Sequence, residues 1–144
     1  GSDHTTFTLK ASFVKKITEL GYEVVDVCSF DEAPVDFPDI AKSLCEKILN
    51  GVATRGVLVC GTGVGAVIAA NKVPGIRASV CHDIHSAHQC VEHDDVNVMC
   101  IGAQIVGPWL ADDLVASYLA AEFSTDPDCR RRVEKLHAME RAYR

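Results

Sequence analysis

Apolar residues along this chain recur at two spacings, one helical and one typical of buried strands. Helical spacing places Leu9, Phe13 and Ile17 on one face, and the same spacing predicts further helices over 36–49, 67–72, around 87–90, about 110–123 and about 129–144. Short stretches rich in apolar residues, bounded by turn residues, predict strands over 22–27, 56–60, 76–81 and 96–101. Helices and strands therefore alternate through most of the chain.

The order of these elements predicts the fold class. Strands rich in Val and Ile, without polar alternation and separated by helices, are typical of a parallel sheet covered on both faces. We therefore predict an α/β protein, a three-layer α-β-α sandwich with a doubly wound, Rossmann-like parallel sheet. The 144 residues are expected to form a single domain over 1–144. The sequence opens directly on a helix, whereas an α/β unit normally starts with a strand, so the sheet lacks one member if that strand is absent.

Composition and charge restrict the possible partners. The formal net charge of -6 argues against attraction to the phosphates of nucleic acid. No apolar run approaches the roughly 20 residues of a membrane-spanning helix, so we expect no membrane contact and a cytoplasmic protein. The seven cysteines are scattered and include no C-x-x-C pair, which disfavours a disulfide framework and a structural zinc site. Most of them are expected to be buried in a reducing compartment.

The stretch VCGTGVGA, residues 59–66, is the candidate for chemistry. It follows a predicted strand and opens a helix, at the sheet edge where doubly wound folds bind ligands. Three interpretations are open: a tight turn, a dinucleotide-binding G-x-G-x-x-A loop, and a cradle of backbone N–H groups for a phosphate or an oxyanion. In the third, Cys60 stands beside a helix N-terminus, which favours the reactive thiolate. Spacing alone leaves Cys60 open between a functional thiol and a buried strand-end residue.

Several stretches carry a resemblance that decides between these interpretations. They are GSDH, GYEVVD, VDFPDIA, GVLVCGTGVGAVIAANKVPGIRASVCHD and EHDDVNVMCIGAQIVG. Through them the chain resembles the sugar-phosphate isomerase family that contains type B ribose-5-phosphate isomerase and the galactose-6-phosphate isomerase subunits. The resemblance implies a reversible aldose–ketose isomerisation of a phosphorylated sugar through a cis-enediolate, in which a base removes a proton next to a carbonyl and donors stabilise the oxyanion. It implies no metal and no organic cofactor.

The resemblance also assigns roles to residues of this chain. Catalysis is expected from Cys60 as the base, and from Thr62 and His93, which match the residues that open the furanose ring. Substrate binding is expected from a larger set, which consists of Asp3, His4, Gly61, Gly63, Gly65, Asp94 and Arg132. The remaining histidines match no family role and are expected at the surface; they are His82, His85, His88 and His137.

Two carboxylates depart from the family's pattern. Asp94 stands where the family has an asparagine; an ionised carboxylate only accepts hydrogen bonds, so the contacts to the sugar must differ. Asp128 falls where the first of two phosphate-binding arginines is expected, and Arg130 or Arg131 is a candidate to replace it. The stretch Thr5-Thr6 also replaces alanine-glycine. The expected reaction interconverts ribose 5-phosphate and ribulose 5-phosphate or a related pair, and these departures favour another pentose, tetrose or hexose phosphate.

The oligomeric state follows from the same resemblance. Family members are dimers or tetramers whose sites combine two subunits. We therefore expect a homodimer or homotetramer in which the Cys60 loop of one chain meets His93 and Arg132 of another, with the C-terminal helix packed on the partner. Two alternatives stay open: a nucleotide-binding module, supported by the G-x-G-x-x-A match, and a family member in which Asp94 and Asp128 have abolished productive substrate binding.

Overall fold

The computed structural model of the chain describes residues 1–2, 6–27 and 35–144. Six helices and three strands lie in these ranges. The helices are α1 (Phe7–Glu19), α2 (Phe37–Leu49), α3 (Val64–Ala70), α4 (Ile84–Asp94), α5 (Pro108–Ala120) and α6 (Pro127–Ala142), and the strands are β1 (Gly56–Cys60), β2 (Ala78–Val80) and β3 (Val98–Gly102). No helix within the described ranges combines the length and the apolar character that a membrane crossing requires.

The three strands form one parallel sheet in the order β1-β3-β2. At its amino edge, where the strands begin, Gly56 and Ala78 both pair with Val98; at its carboxyl edge, where they end, Cys60 pairs with Gly102. From β1 the chain passes through α3 to the far strand β2, and it returns through α4 to the central strand β3. This reversal is the doubly wound topology, in which ligands bind beyond the carboxyl edge.

Each face of the sheet carries its own apolar core, because side chains alternate along a strand. Met99 and Ile101 of β3 belong to the core that includes residues of α1, α4 and α5. Val98 and Cys100 belong to the other core, together with residues of α2 and α3. Every residue of β3 is buried, which is why the strand reads as an unbroken apolar run. The predicted three-layer α-β-α sandwich is thereby confirmed.

The strand predicted over 22–27 is absent from the sheet, so that prediction was wrong. A groove of about 660 Å³ lies between this segment and β1, and Val57 and Val59 of β1 line it. The free side of β1 forms a parallel bridge with Ser2 instead, opposite Val59. The segment is held partly through side chains, since Lys10 Nζ lies 2.9 Å from a carboxylate oxygen of Asp26. Its apolar residues therefore line a groove and form no β-ladder.

Helix α5 ends three residues before the predicted boundary at residue 123, and the Arg55 side chain caps its C-terminal end. Its guanidinium donates to the carbonyl oxygens of Tyr118 at 2.6 Å and of Leu119 at 3.1 Å, and also to that of Ala121. The last carbonyls of a helix lack partners within the helix, and a cation at that end satisfies them. The backbone turns extended at Ala121, so the helix stops at Ala120.

Candidate active site

Cys60 is the last residue of β1 and lies half-buried at the carboxyl edge of the sheet. The turn after β3 holds the backbone around it: the Ala103 N–H donates to the Cys60 carbonyl at 2.8 Å, and the Gln104 N–H donates to the Gly61 carbonyl at 3.0 Å. These bonds continue the pairing of β1 with β3 beyond the strand ends. The glycine loop, residues 61–65, therefore leaves the sheet from a fixed backbone, at the edge where doubly wound folds bind ligands.

The three glycines of the loop lie in three different steric environments. Gly63, the N-cap of α3, has a φ of 81°, a left-handed conformation that glycine adopts without the steric cost of a Cβ. Gly65 admits the Phe37 ring, since a Cβ at residue 65 would lie 2.9 Å from a ring carbon. A Cβ at Gly61 would meet only the Gln104 side chain, at an ordinary 3.6 Å. A bare turn needs Gly63 alone and packing against Phe37 accounts for Gly65, so the tight-turn interpretation leaves only Gly61 without a reason.

The exposed Thr62 lies just before the backbone N–H groups that open α3. The Val64 N–H points to Thr62 Oγ1 at 3.4 Å, and the other N–H groups in the first turn of α3 have no acceptor within the helix. Backbone donors of this kind attract negative charge. The loop thus has the donors that an anion cradle requires, and the cradle itself stays a prediction.

The other described cysteines are less suited than Cys60 to act as a base, because all of them are buried: Cys45, Cys81, Cys90, Cys100 and Cys129. Burial raises the pKa of Cys45 to about 11 and that of Cys100 to about 12, since desolvation disfavours a thiolate. A hydrogen bond with Cys90 lowers the pKa of Cys81 to about 7. Cys81 is nevertheless only 1% exposed, which keeps its thiol away from a substrate.

His93 and Asp94 lie at the opposite edge of the sheet from Cys60. Helix α4 begins after the carboxyl end of β2 and runs back over 11 residues, a rise of about 16 Å. Its C-cap, Asp95, is bound by Arg77, the residue before β2: Arg77 Nη2 lies 2.8 Å from Asp95 Oδ2, and Arg77 Nε donates to the Asp95 carbonyl at 2.7 Å. These bonds fix the end of α4 at the amino edge.

Arg132 lies on the same side of the molecule as the end of α4. Five residues further along α6, His137 Nε2 lies 3.2 Å from Nη1 of Arg77. Before α6 begins, the Ser124 N–H donates to the Glu92 carbonyl at 2.9 Å. Contacts on both sides of Arg132 therefore hold α6 against the amino edge.

The three arginines at the start of α6 differ in how strongly they are engaged. The Arg130 guanidinium lies over the Phe123 ring, 4.7 Å from its centroid. Arg131 forms a close ion pair with Asp128, whereas Arg132 Nη2 is 3.9 Å from that carboxylate. Arg132 is thus the most available of the three for an added anion, and Asp128 is already paired.

The structure separates the predicted site residues into two groups. The Cys60 group lies at the carboxyl edge and consists of Cys60, Gly61, Thr62, Gly63 and Gly65. The His93 group lies at the amino edge and consists of His93, Asp94 and Arg132. Asp3 and His4 fall outside the described residues. A single chain does not bring the two groups together, so a site that contains both requires two chains.

Two residues near the Cys60 group were missed. His82 was expected at the surface, but it is half-buried, and the Gly102 N–H donates to its Nε2 at 2.9 Å. Gln104 holds Gly61 through its backbone and lies beside it with its side chain. Each lies two residues beyond the end of a strand, β2 for His82 and β3 for Gln104, so the rule that sites form beyond carboxyl ends would have found them. His85 and His88 are exposed as predicted, whereas His137 is half-buried.

The fold and the site together define an α/β protein of the doubly wound class, with a thiol and a glycine loop at the carboxyl edge. Residues 1–136 match the family described as Ribose/Galactose Isomerase. The chain is 39% identical over 140 residues to ribose-5-phosphate isomerase B of Escherichia coli, covering 97% of this chain and 93% of the relative. It is 40% identical over 126 residues to a D-erythrulose-4-phosphate isomerase of Pectobacterium atrosepticum, covering 85% and 82%. The solved structure of ribose-5-phosphate isomerase B of Clostridium thermocellum superposes with a TM-score of 0.94 at 40% identity, over 100% of this chain and 97% of the other.

The chain therefore belongs to the ribose/galactose isomerase family. The resemblance seen in the sequence is confirmed, and so is the predicted enzyme class, an intramolecular oxidoreductase of the aldose–ketose isomerase type. The nucleotide-binding alternative loses its support, because the G-x-G-x-x-A match lies inside the stretch that the isomerase family covers.

Proposed function

We propose that this protein is a sugar-phosphate isomerase that interconverts a phosphorylated aldose and its ketose through a cis-enediolate, with Cys60 as the base. One observation carries the proposal: among the described cysteines, only the one that ends β1 at the glycine loop is not buried. The relatives named above are isomerases of ribose 5-phosphate and of D-erythrulose 4-phosphate, which supports the same substrate class. We also propose the cytoplasm as the location of this reaction.

The proposed reaction needs a base and a site for an oxyanion. The Cys60 thiolate removes the proton from the carbon next to the carbonyl, and the electron pair moves into the carbon–carbon bond while the carbonyl oxygen gains charge. Backbone N–H groups of the glycine loop donate to that oxygen. The thiol then returns the proton to the former carbonyl carbon, and a hydroxyl proton moves between the two oxygens. No cofactor takes part, because the sugar's own electron pairs and protons balance the reaction.

We propose that a second copy of the chain completes the site. The separation of the Cys60 group from the His93 group supports this arrangement, and so do the exposed apolar side chains near the glycine loop. Val64 is 52% exposed, and Ile68 and Ile105 are each 56% exposed, which is typical of an interaction surface. In the assembly, Thr62 and the partner subunit's His93 open the sugar ring, and the partner subunit's Arg132 binds the phosphate.

Helix α6 offers a second apolar surface for that assembly. Leu136, Met139 and Tyr143 are all exposed, although Cys129 and Val133 earlier in the same helix are buried. This surface supports the expectation that the C-terminal helix packs on the partner. The proposal covers a homodimer or a homotetramer, since both contain such a pair.

The two carboxylates guide the choice among sugar phosphates. Asp94 is exposed at the end of α4, where its carboxylate accepts hydrogen bonds from sugar hydroxyls but donates none. Asp128 is paired with Arg131, which leaves Arg132 to bind the phosphate without a second arginine. We therefore propose a substrate other than ribose 5-phosphate, within the pentose, tetrose and hexose phosphates.

The first experiment assays aldose–ketose conversion of ribose 5-phosphate, allose 6-phosphate, galactose 6-phosphate and erythrose 4-phosphate. The wild-type chain is compared with Cys60→Ala and with Cys81→Ser, a near-isosteric change at the buried thiol of lowered pKa. We expect conversion of at least one sugar, a loss of about 10²- to 10⁴-fold in Cys60→Ala, and little change in Cys81→Ser. Activity that survives in Cys60→Ala places the base elsewhere. A folded wild-type chain that converts none of the four favours the alternative of abolished substrate binding.

Mixing two inactive variants tests the shared site. Cys60→Ala and His93→Ala are each expected to be inactive, but a mixed dimer contains one site in which both residues are intact. After dissociation and reassembly, the mixture should regain about a quarter of the wild-type activity, because about half of the dimers are mixed and each has one working site of two. A mixture that stays inactive while the subunits demonstrably exchange would show that Cys60 and His93 do not act across subunits.

A further inference from the structure

His82 occupies the position at which the pairing of β2 with β3 ends. The Cys81 N–H still donates to the Cys100 carbonyl at 3.1 Å, as in a continued ladder. The next N–H of β3 on this side belongs to Gly102, which is buried and needs an acceptor. The His82 ring supplies it, since the Gly102 N–H donates to Nε2 at 2.9 Å. The imidazole thus replaces the backbone carbonyl that would extend the ladder.

Gly102 in turn lies directly against the glycine loop. A Cβ at residue 102 would lie 2.7 Å from the Thr62 carbonyl carbon and 2.8 Å from the Thr62 Cα, so the two backbones are in closest contact here. The residues after Gly102 hold the loop from the other side, through the bonds from Ala103 to Cys60 and from Gln104 to Gly61. A displacement of Gly102 therefore acts directly on the loop, through the contact with the Thr62 backbone and through these hydrogen bonds.

We propose that His82 is a positioning residue: through its hydrogen bond to Gly102 it fixes the place of the glycine loop and hence of Cys60 and Thr62. The effect on turnover rests on the proposed isomerase function, whereas the effect on the loop does not. His82 touches neither the substrate nor the reacting atoms in this proposal. It acts through the end of β3.

The hydrogen bond from the Gly102 N–H needs an acceptor at a defined distance from the backbone of residue 82. Nε2 accepts here, so the proton of the neutral ring lies on Nδ1. A glutamine side chain places its Oε1 the same number of bonds from Cα as Nε2, whereas an asparagine places its Oδ1 one bond closer. His82→Gln therefore keeps the acceptor within reach of Gly102, and His82→Asn, which is equally polar, does not.

The kinetic experiment compares His82→Gln, His82→Asn and His82→Ala with the wild-type chain, and uses the exposed His85→Ala as a control. We expect kcat to fall by about ten- to a hundredfold in His82→Asn and His82→Ala, because small misplacements of a catalytic group cost this much, with KM changed less. His82→Gln and His85→Ala should stay within about threefold of the wild type. Equal losses in Gln and Asn variants, or no loss in His82→Ala, would overturn the proposal.

Amide hydrogen exchange, followed by NMR, tests the same idea without any substrate. In His82→Asn and His82→Ala, the Gly102 amide should lose protection and the Gly61 and Thr62 amide resonances should shift, while His82→Gln leaves all three unchanged. If the loop resonances stay in place in His82→Ala, His82 does not position the loop, whatever the kinetics show. If they shift but the wild-type chain converts no sugar phosphate, the isomerase proposal fails and the positioning role stands.

Discussion

Replacing Gly102 with alanine is the sharpest perturbation of the candidate site that the structure offers. The added Cβ would lie 2.8 Å or less from two Thr62 backbone atoms, whereas ordinary van der Waals contact begins at 3.4 Å. A flexible side chain could move away, but these are backbone atoms, held by the bonds that join the β3 turn to the loop. Restoring ordinary contact therefore shifts the loop relative to β3 by about 0.6–0.7 Å.

The size of the effect follows from this displacement. Overpacking of this kind typically lowers the free energy of unfolding by about 1–3 kcal/mol, and each kcal/mol lowers the melting temperature of a chain of this size by about 2–4 °C. A shift of about 1 Å in a catalytic group can cost a hundredfold in rate, so we expect at least a tenfold fall in kcat. The fall in kcat should thus be larger than the loss of activity that unfolding of part of the protein would cause.

The assay combines thermal unfolding with turnover of whichever sugar phosphate the wild-type chain converts. Gly107→Ala is the matched control, because a Cβ at residue 107 meets nothing within 4 Å and its φ of -82° suits any residue. Gly107 is the N-cap of α5 and alanine is a poorer N-cap than glycine, so the control should lose about 0.5–1 kcal/mol and keep about the wild-type rate. A Gly102→Ala protein with the wild-type melting temperature and kcat would refute the reasoning.

Three further predictions concern stability. Arg55→Met should lower the free energy of unfolding by about 2–3 kcal/mol, because it leaves the last carbonyls of α5 without their charged donor. The control Arg144→Met removes an exposed ion pair and should change the free energy of unfolding by less than about 1 kcal/mol. Equal effects of the two substitutions in denaturant titrations would contradict this account. Tyr118→Phe should leave stability unchanged or raise it by about 1 kcal/mol, since among the described residues the buried Tyr118 hydroxyl finds no hydrogen-bond partner; a clear loss would indicate a partner. The Asp83 carboxylate accepts a hydrogen bond from the Ser86 N–H at 2.7 Å, and this bond lowers the pKa of Asp83. The contribution of the carboxylate to folding stability is therefore fully present above the usual carboxyl pKa and is lost as pH falls through the lowered pKa. Melting temperatures of the wild type should therefore fall relative to Asp83→Asn on acidification, and parallel curves would exclude a role for this carboxylate.

Much of the fold could be predicted from the spacing of apolar residues. The strand over 96–101 was recognisable because β3 is buried on both faces and therefore contains no polar alternation. The segment 22–27 has the valines of a strand but also contains Glu23 and Asp26, and it lines a groove beside β1 with Tyr22 and Val25 exposed. A short run of valines fits a strand, whereas membership of a sheet depends on a ladder partner that is distant in sequence, so the sequence did not show that this segment stays outside the sheet.

The candidate site likewise has a local part that the sequence shows and a long-range part that it does not show. Cys60 and the glycines are contiguous in the chain, and their arrangement is local: a strand end, a turn and a helix start, which a motif records in full. The place of His93 relative to Cys60 is different, because it depends on the direction in which α4 crosses the sheet and on the bond of Asp95 to Arg77. The motif therefore named both residues, and the resemblance assigned them to different chains, but only the structure shows the two edges at which one chain holds them.

The sequence by itself determined the class of the fold, the position of the thiol at the end of a strand and, through its motifs, the isomerase family. Only the tertiary structure decided that His82 supports Gly102, that Asp128 is paired with Arg131, and that the predicted site is split between two edges of one sheet. The physical reason is that patterns along a chain encode which residues are buried and how the backbone turns locally. Which groups meet across the fold is set by packing and by the hydrogen bonds that packing makes possible.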